Sequence, residues 1–485
     1  MDNAQPNILL ITTDQQRYDT TGETRPSFLR TPHLDQLARE GITFRRAYTS
    51  CPLCVPSRIS IMTGKSVTSH GMTHNGATSE VMGRDATLPA LMRARGYQTA
   101  AIGKMHFSPQ RTRHGFDEMI LPSDYYRMMG RSGQPLQPMR HGLGQNEIYP
   151  SLSTVPESQT LTSWTAEQCV EYIARRRDPA VPFFLWCSFS KPHPPLDPPE
   201  PYYSMYRDSP IPEPVIGTWR DDETCPAVFR REQTIWGADR IDPEVIRAAR
   251  AAYFGLITQI DYHIGRLFAA LHETGTSDET MILFASDHGE FLGDHRAVSK
   301  TYFHEAAAHV PLVLRLPQAW DDRHHGDTCD ALVELSDILP TCVAAAGTEA
   351  PADIDGIDLA AVARGQHEPR DYVEATVARR DGPHASRGLM RQWGTYYRAI
   401  TDGRWKYIWY PEGGCEQLFD LESDPNECSN VCDQHPDHTE RLRGELERRH
   451  GILKPVPELE IDQRDLRNFY RLSCLTEETE EDIRH

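Results

Sequence analysis

Apolar residues along this chain come in short, nearly unbroken runs, and several of those runs end in charged groups. Asn7–Thr13, Tyr97–Gly103, Pro182–Ser190, Met281–Ala285 and Pro311–Pro317 each have the length of one strand and little alternation. Such runs predict strands buried on both faces, as in a parallel sheet covered by helices on its two sides. Between them, Thr31 followed by Pro32 and closed by Gly41 predicts a short amphipathic helix with clear start and stop signals. Leu88–Arg95, Thr160–Arg177, Ile241–Leu271 and Leu332–Ala346 predict further helices. Beyond Pro369 the runs become short, aromatic and β-branched. Thr395–Ile400 and Arg404–Tyr410 flank Thr401-Asp402-Gly403, a hairpin signal. With Gln417–Leu421 and a helix over His438–His450, this part predicts a small antiparallel sheet packed by a terminal helix. The expected organisation is a large α/β domain over residues 1–370, a small C-terminal α+β domain over 371–450, and a tail over 451–485. The tail is a candidate contact with a neighbouring subunit of a homo-oligomer.

The ends of the apolar runs carry the chemistry. The first delivers Asp14, the second Lys104-Met105-His106, the third Lys191-Pro192-His193, and the fourth Asp287-His288, with Lys300 a little further on. In open α/β sheets ligands bind at the C-terminal ends of the strands, so four strand ends of one character predict a single site. Asp14, Asp287 and His288 are residue types suited to a hard or borderline divalent cation. The Gly-punctuated loop His70–Gly76 makes His74 and Asn75 candidates for the substrate rim, together with the Pro-rich stretch 192–214.

Composition narrows the class of protein. A chain of 485 residues with a formal charge of -19 lacks the basic face that phosphate backbones require, so nucleic acid is not expected as a partner. No apolar run is long enough to suggest a membrane span, and Met1–Pro6 has neither the basic nor the apolar part of a signal peptide. Eleven cysteines without framework spacing suit reduced thiols. The expected location is cytoplasmic.

One cysteine stands apart. Cys54-Val55-Pro56-Ser57-Arg58, followed by an apolar segment and Thr63-Gly64-Lys65, places a nucleophile on the first turn of a helix. Proline is tolerated there because its missing N–H would be unpaired anyway. The free N–H groups and the dipole of that turn favour an anion, and Arg58 adds a forked donor suited to a tetrahedral oxyanion. A lone Cys-x-Pro would read as an ordinary buried thiol.

With the pentapeptide, Thr63-Gly64-Lys65, Gly103-Lys104-Met105-His106 and the other strand ends, the chain resembles type I sulfatases of the alkaline-phosphatase superfamily from about Pro6 to Leu421. The resemblance implies an alkaline-phosphatase-like fold with a large, mixed, mostly parallel sheet and a smaller C-terminal four-stranded domain. It implies that Cys54 is oxidised to formylglycine by a maturation enzyme. Asp14, Asp287, His288 and the modified Cys54 would bind one divalent cation, and Arg58, Lys104, His106, His193 and Lys300 would surround the sulfate. The hydrated aldehyde would attack sulfur, His193 would protonate the departing alcohol, and His106 would help expel sulfate. Two departures stand out: Gln15 follows Asp14 where many family members have a second aspartate, and His288 follows Asp287 where many have asparagine. Calcium is the expected cation, with manganese the alternative. The expected substrate is a small-molecule or carbohydrate sulfate ester. A phosphonate monoester or phosphodiester hydrolase, and more remotely a non-catalytic binding protein of the same fold, stay open.

Overall fold

The computed structural model describes residues 5–83, 86–132, 137–222, 224–238, 240–320, 326–378 and 396–458. Thr395 of the expected hairpin and residues 459–485 of the expected tail lie outside them.

Eight strands form the main sheet: β1 (Asn7–Asp14), β2 (Ile42–Tyr48), β3 (Gln98–Gly103), β4 (Glu118–Ile120), β5 (Phe183–Pro192), β6 (Thr280–Ser286), β7 (Leu312–Arg315) and β8 (Asp327–Glu334). Their order is β4-β3-β5-β1-β6-β7-β2-β8, and only β7 runs antiparallel to its neighbours. All eight residues of β1 are buried, as its unbroken apolar run requires when helices cover both faces. One face packs against helix Cys54–Thr63 and helix Ile338–Ala345. The other packs against helices Leu161–Glu171 and Pro243–Glu273.

The register levels the functional ends of the strands. Thr13 pairs with Ser286, Asp14 with Pro192, and Gly103 with Ser188. The His193 N–H then donates to the Asp14 carbonyl at 3.0 Å. Because these strands are parallel, their carboxyl ends open on one edge of the sheet, and the polar residues that follow them face a common space.

The second sheet is antiparallel, in the order β12-β11-β10-β9, built from β9 (Val373–Ala378), β10 (Tyr396–Thr401), β11 (Trp405–Tyr410) and β12 (Cys415–Asp420). One face packs under helix Pro436–His450 through Ile400, Tyr407, Leu418, Leu442 and Leu446. The other packs through Val377, Tyr397 and Ile408 onto Tyr48, Leu53, Tyr302 and Phe303. The small sheet thus abuts the segments that lead to Cys54 and follow Lys300.

One expectation requires correction, and one strand went unread. Leu332–Ala346 is not one helix: Leu332, Val333 and Glu334 finish β8, paired with Arg46, Ala47 and Tyr48 of β2, and the helix begins only at Ile338. An apolar run long enough for either element does not reveal a strand-to-helix turn inside it. The residues around Phe44 form strand β2, hidden in the sequence by Arg45 and Arg46 on its more exposed positions.

Candidate active site

Helix Cys54–Thr63 has all ten of its residues buried and ends at Gly64, whose φ of 67° suits a residue without a Cβ. Leu53, at the N-cap, has no side-chain acceptor to offer. Asn75 supplies it: its Oδ1 accepts from the Val55 N–H at 3.1 Å, and the side chain borders the cavity above Cys54. Arg58 lies one helical turn beyond Cys54, on the same face. Its guanidinium donates to Ser188 Oγ at 2.8 Å and to the Lys104 carbonyl, and pairs with Asp14 at 3.0 Å and Asp287 at 2.9 Å.

Four ligand-type groups meet beside it. The donor atoms of Asp14, Cys54, Asp287 and His288 all lie within 4.8 Å of one another, and all four residues are buried. Cys54 Sγ is 3.2 Å from His288 Nε2. His288 Nδ1 lies 3.0 Å from the Gly289 carbonyl, which only accepts, so Nδ1 carries a proton and Nε2 is the ring nitrogen that faces the cluster. Burial and the neighbouring Asp14 push the Asp287 carboxyl up to about 6, against the pull of His288 and Arg58. Burial and Cys54 also press on Asp14, but Lys104, His193 and Arg58 outweigh them and hold its carboxyl well below the usual range.

Cations line the opposite side. Lys104 Nζ pairs with Asp14 at 2.9 Å. Lys300 Nζ donates to Gln15 Oε1 at 2.6 Å and sits 3.0 Å from His193 Nε2. His193 Nδ1 faces the Pro194 carbonyl at 2.8 Å, so its Nε2 is the acceptor for Lys300. Burial, Lys300 and Lys104 press that imidazole down to about 3. Burial would raise the Cys54 thiol, yet Lys300, Lys104, His288 and a hydrogen bond from His106 hold it well below its usual value. The pocket thus stabilises negative charge on whatever group the Cys54 side chain carries. His106 holds this position with a left-handed φ of 58°.

The structure brings together Asp14, Cys54, Arg58, Lys104, His106, His193, Asp287, His288 and Lys300. His74 is the exception among the candidates: it folds back over Gly76, where an added Cβ would meet its Nε2 at 3.0 Å, and is absent from the described cavity lining. Its neighbour Asn75 takes the wall position instead.

Several residues escaped the sequence reading. Ser188 sits within β5 and orients Arg58. Gln15, noted only as a departure, links Lys300 to buried Glu290 through its Oε1 and Nε2. The cavity, about 1100 Å³, is walled by Tyr125, Tyr126 and Met129 of helix Pro122–Arg131 and by Trp236. Pro122 at the first helical position with Asp124 two residues later was a legible helix start. Nothing in the sequence places that helix over Cys54.

The profile described as Sulfatase matches residues 6–348, and that described as N-sulphoglucosamine sulphohydrolase, C-terminal, matches residues 293–451. An arylsulfatase of Clostridium perfringens is 33% identical over 463 residues, covering 90% of this chain and 92% of that protein. The multifunctional alkaline phosphatase superfamily protein PehA of Trinickia caryophylli is 31% identical, covering 88% and 91%. Among solved structures, the phosphonate monoester hydrolase of Silicibacter pomeroyi superposes with a TM-score of 0.77 at 26% identity, covering 92% of this chain and 95% of that one.

Proposed function

The chain belongs to the sulfatase family of the alkaline-phosphatase superfamily, and from that premise we propose that it hydrolyses a sulfate monoester with a formylglycine made from Cys54 and one divalent cation held by Asp14, Asp287 and His288. The observation that carries this reading is the position of Cys54 Sγ, at the meeting point of the four-group cluster and the Lys104 and Lys300 ammonium groups. The donor set fits a divalent cation: two carboxylates and an imidazole whose other nitrogen is engaged by a backbone carbonyl. Bound there, the cation supplies acidification of a hydroxyl on the hydrated aldehyde. One nitrogen among so few protein donors favours manganese over the calcium expected from the sequence, because calcium prefers six to eight oxygens.

The chain's own residues supply the rest. Arg58, clamped by two carboxylates and Ser188, fixes the floor of the site. Lys104 and Lys300 hold sulfate oxygens and offset charge developing in the transition state. His193 accepts from Lys300 in the free protein. When a sulfate ester draws Lys300 onto its oxygens, Nε2 is released, and the anion favours its protonated form, which suits His193 to donate to the departing alcohol. His106, beside the nucleophile, serves as the base of the second half-reaction. The substrate class is a small-molecule or carbohydrate sulfate ester, and a formylglycine-generating enzyme is the required partner.

A second reading, phosphonate monoester hydrolysis, is favoured by His288 beside Asp287 and by the likeness to the Silicibacter pomeroyi enzyme. Mass spectrometry of the peptide 51–58 from protein made with the maturation enzyme, with turnover of p-nitrophenyl sulfate and p-nitrophenyl phenylphosphonate, decides between them. An aldehyde at Cys54 with faster sulfate turnover supports the first reading, and faster phosphonate turnover the second. Unmodified cysteine and no turnover of either would overturn both.

A further inference from the structure

Lys300 stands in a backbone segment that does not hold itself. Ser299 and Thr301, on either side of it, have φ values of 70° and 119°, a region that β-branched residues such as threonine avoid. Strained backbone persists only where its surroundings over-determine it. Here they do so from two directions. From the loop that follows β6, Glu290 Oε1 accepts from the Ser299 N–H at 2.5 Å. From the small sheet come three further bonds, each onto backbone just beyond Lys300. Tyr397 Oη on β10 donates to the Thr301 carbonyl at 2.8 Å. Lys406 Nζ on β11 donates to the Phe303 carbonyl at 2.9 Å. Glu427 Oε2, just past β12, accepts from the Glu305 N–H at 2.7 Å.

Lys406 is the least expected member. Its side chain is 0% exposed, and its ammonium pairs with Glu305 at 2.5 Å and Glu427 at 2.9 Å. A wholly buried lysine is costly unless paired and hydrogen-bonded. This one is both, and its partners tie the small sheet to the helical turn Glu305–Ala308. The proposed chemistry uses none of these groups.

We propose that the small C-terminal sheet is a positioning clamp for Lys300: Tyr397, Lys406 and Glu427 hold residues 301–305 so that the Lys300 ammonium stays over Cys54, next to His193 and Gln15. These are positioning residues, acting through Lys300 rather than on substrate. Shape packing alone would not require polar atoms of three separate elements of the small domain to converge on one five-residue segment. The inference rests on the sulfatase reading only in giving Lys300 an anion to hold.

Lys406→Met would leave two buried carboxylates unpaired and test folding more than positioning, so the informative variant is Tyr397→Phe, which deletes one hydroxyl. The control is Tyr407→Phe, which removes a comparable hydroxyl, bonded to Glu416, from the same small sheet. Two readouts are taken: kcat and KM with p-nitrophenyl sulfate, and calorimetric binding of inorganic sulfate, which needs no turnover. Tyr397→Phe is expected to lower kcat and weaken sulfate binding about tenfold each, the worth of a buried hydrogen bond, while Tyr407→Phe matches the parent. In a Lys300→Ala background Tyr397→Phe is expected to add nothing. Wild-type rates and binding in Tyr397→Phe, or losses that multiply in full with those of Lys300→Ala, would overturn the clamp and leave the sulfatase reading standing. A parent without turnover whose sulfate binding still weakens only when Lys300 is present would uphold the clamp and sink the sulfatase reading.

Discussion

Replacing Arg58 by methionine keeps much of the reach of the side chain and removes the charge that Asp14 and Asp287 share. The guanidinium lies 3.0 Å from one carboxylate and 2.9 Å from the other, and none of the three side chains is more than 1% exposed. Taking one partner from a buried ion pair costs about 3–5 kcal/mol. Lys104, 2.9 Å from Asp14, goes on neutralising that carboxylate, so the expected loss is at the lower end, about 3 kcal/mol, or roughly 150-fold in the folding equilibrium. Urea denaturation followed by circular dichroism, in a chelator at pH 7 and at pH 5, measures it. Asp287 already titrates up at about 6, and without Arg58 it rises further. A carboxyl whose folded-state pKa exceeds its unfolded value binds more protons folded than unfolded between the two. Its penalty is therefore full above the folded pKa and fades as pH falls toward about 4. The cost of Arg58→Met should shrink at pH 5. A cost under about 1 kcal/mol at pH 7, or one that grows at pH 5, would refute the account of Arg58 as the counter-charge of this cluster.

Four further outcomes follow from the same geometry. Cys54→Ser made without a maturation enzyme, whose unoxidised hydroxyl could be sulfated once but could not expel sulfate as a geminal diol does, should lose multiple turnover by at least about 10³-fold while folding normally, as read by burst kinetics against steady state. In the metal-free protein, the raised Asp287 contributes a fall in stability of about 3 kcal/mol as pH climbs from about 4 to 6, read as the difference between the wild-type and Asp287→Asn profiles so that the opposing rise from the depressed His193 cancels; added Mn²⁺ should shrink that difference, and no difference in chelator would count against the raised Asp287. Gly103→Ala should destabilise by about 3 kcal/mol or more in thermal melts, since φ is 101° and the new Cβ would lie 2.0 Å from the Ser188 carbonyl oxygen of the paired strand. Asn75→Ala should cost about 1 kcal/mol, the worth of a helix cap, with sulfate-ester specificity little changed; a large change in KM would instead make Asn75 a substrate contact.

Much of the site was legible because its residues follow elements with strong local signals. Asp14, Lys104, His193 and Asp287 come directly after apolar runs, and parallel strands deliver their carboxyl ends to one edge of the sheet. Cys54 and Arg58 lie one turn apart on a helix whose start and Gly64 stop are written in the chain. The sequence likewise determined the small antiparallel sheet, through the change from long apolar runs to short aromatic ones around Thr401-Asp402-Gly403. What it could not determine depends on contacts between distant positions. Gln15 looks like a lost ligand until Lys300 and Glu290 are seen on either side of it. Asn75 serves a helix N-terminus twenty residues earlier, while His74 beside it turns away. The apolar stretch from Leu332 divides between β8 and a helix because Leu332 and Val333 find β2 to pair with, a choice made by sheet geometry. Lys406 would read as a solvated charge on a hairpin. Only the packing of the small sheet against residues 301–305 buries it between two glutamates, because the low dielectric there makes a paired charge tolerable and an unpaired one costly.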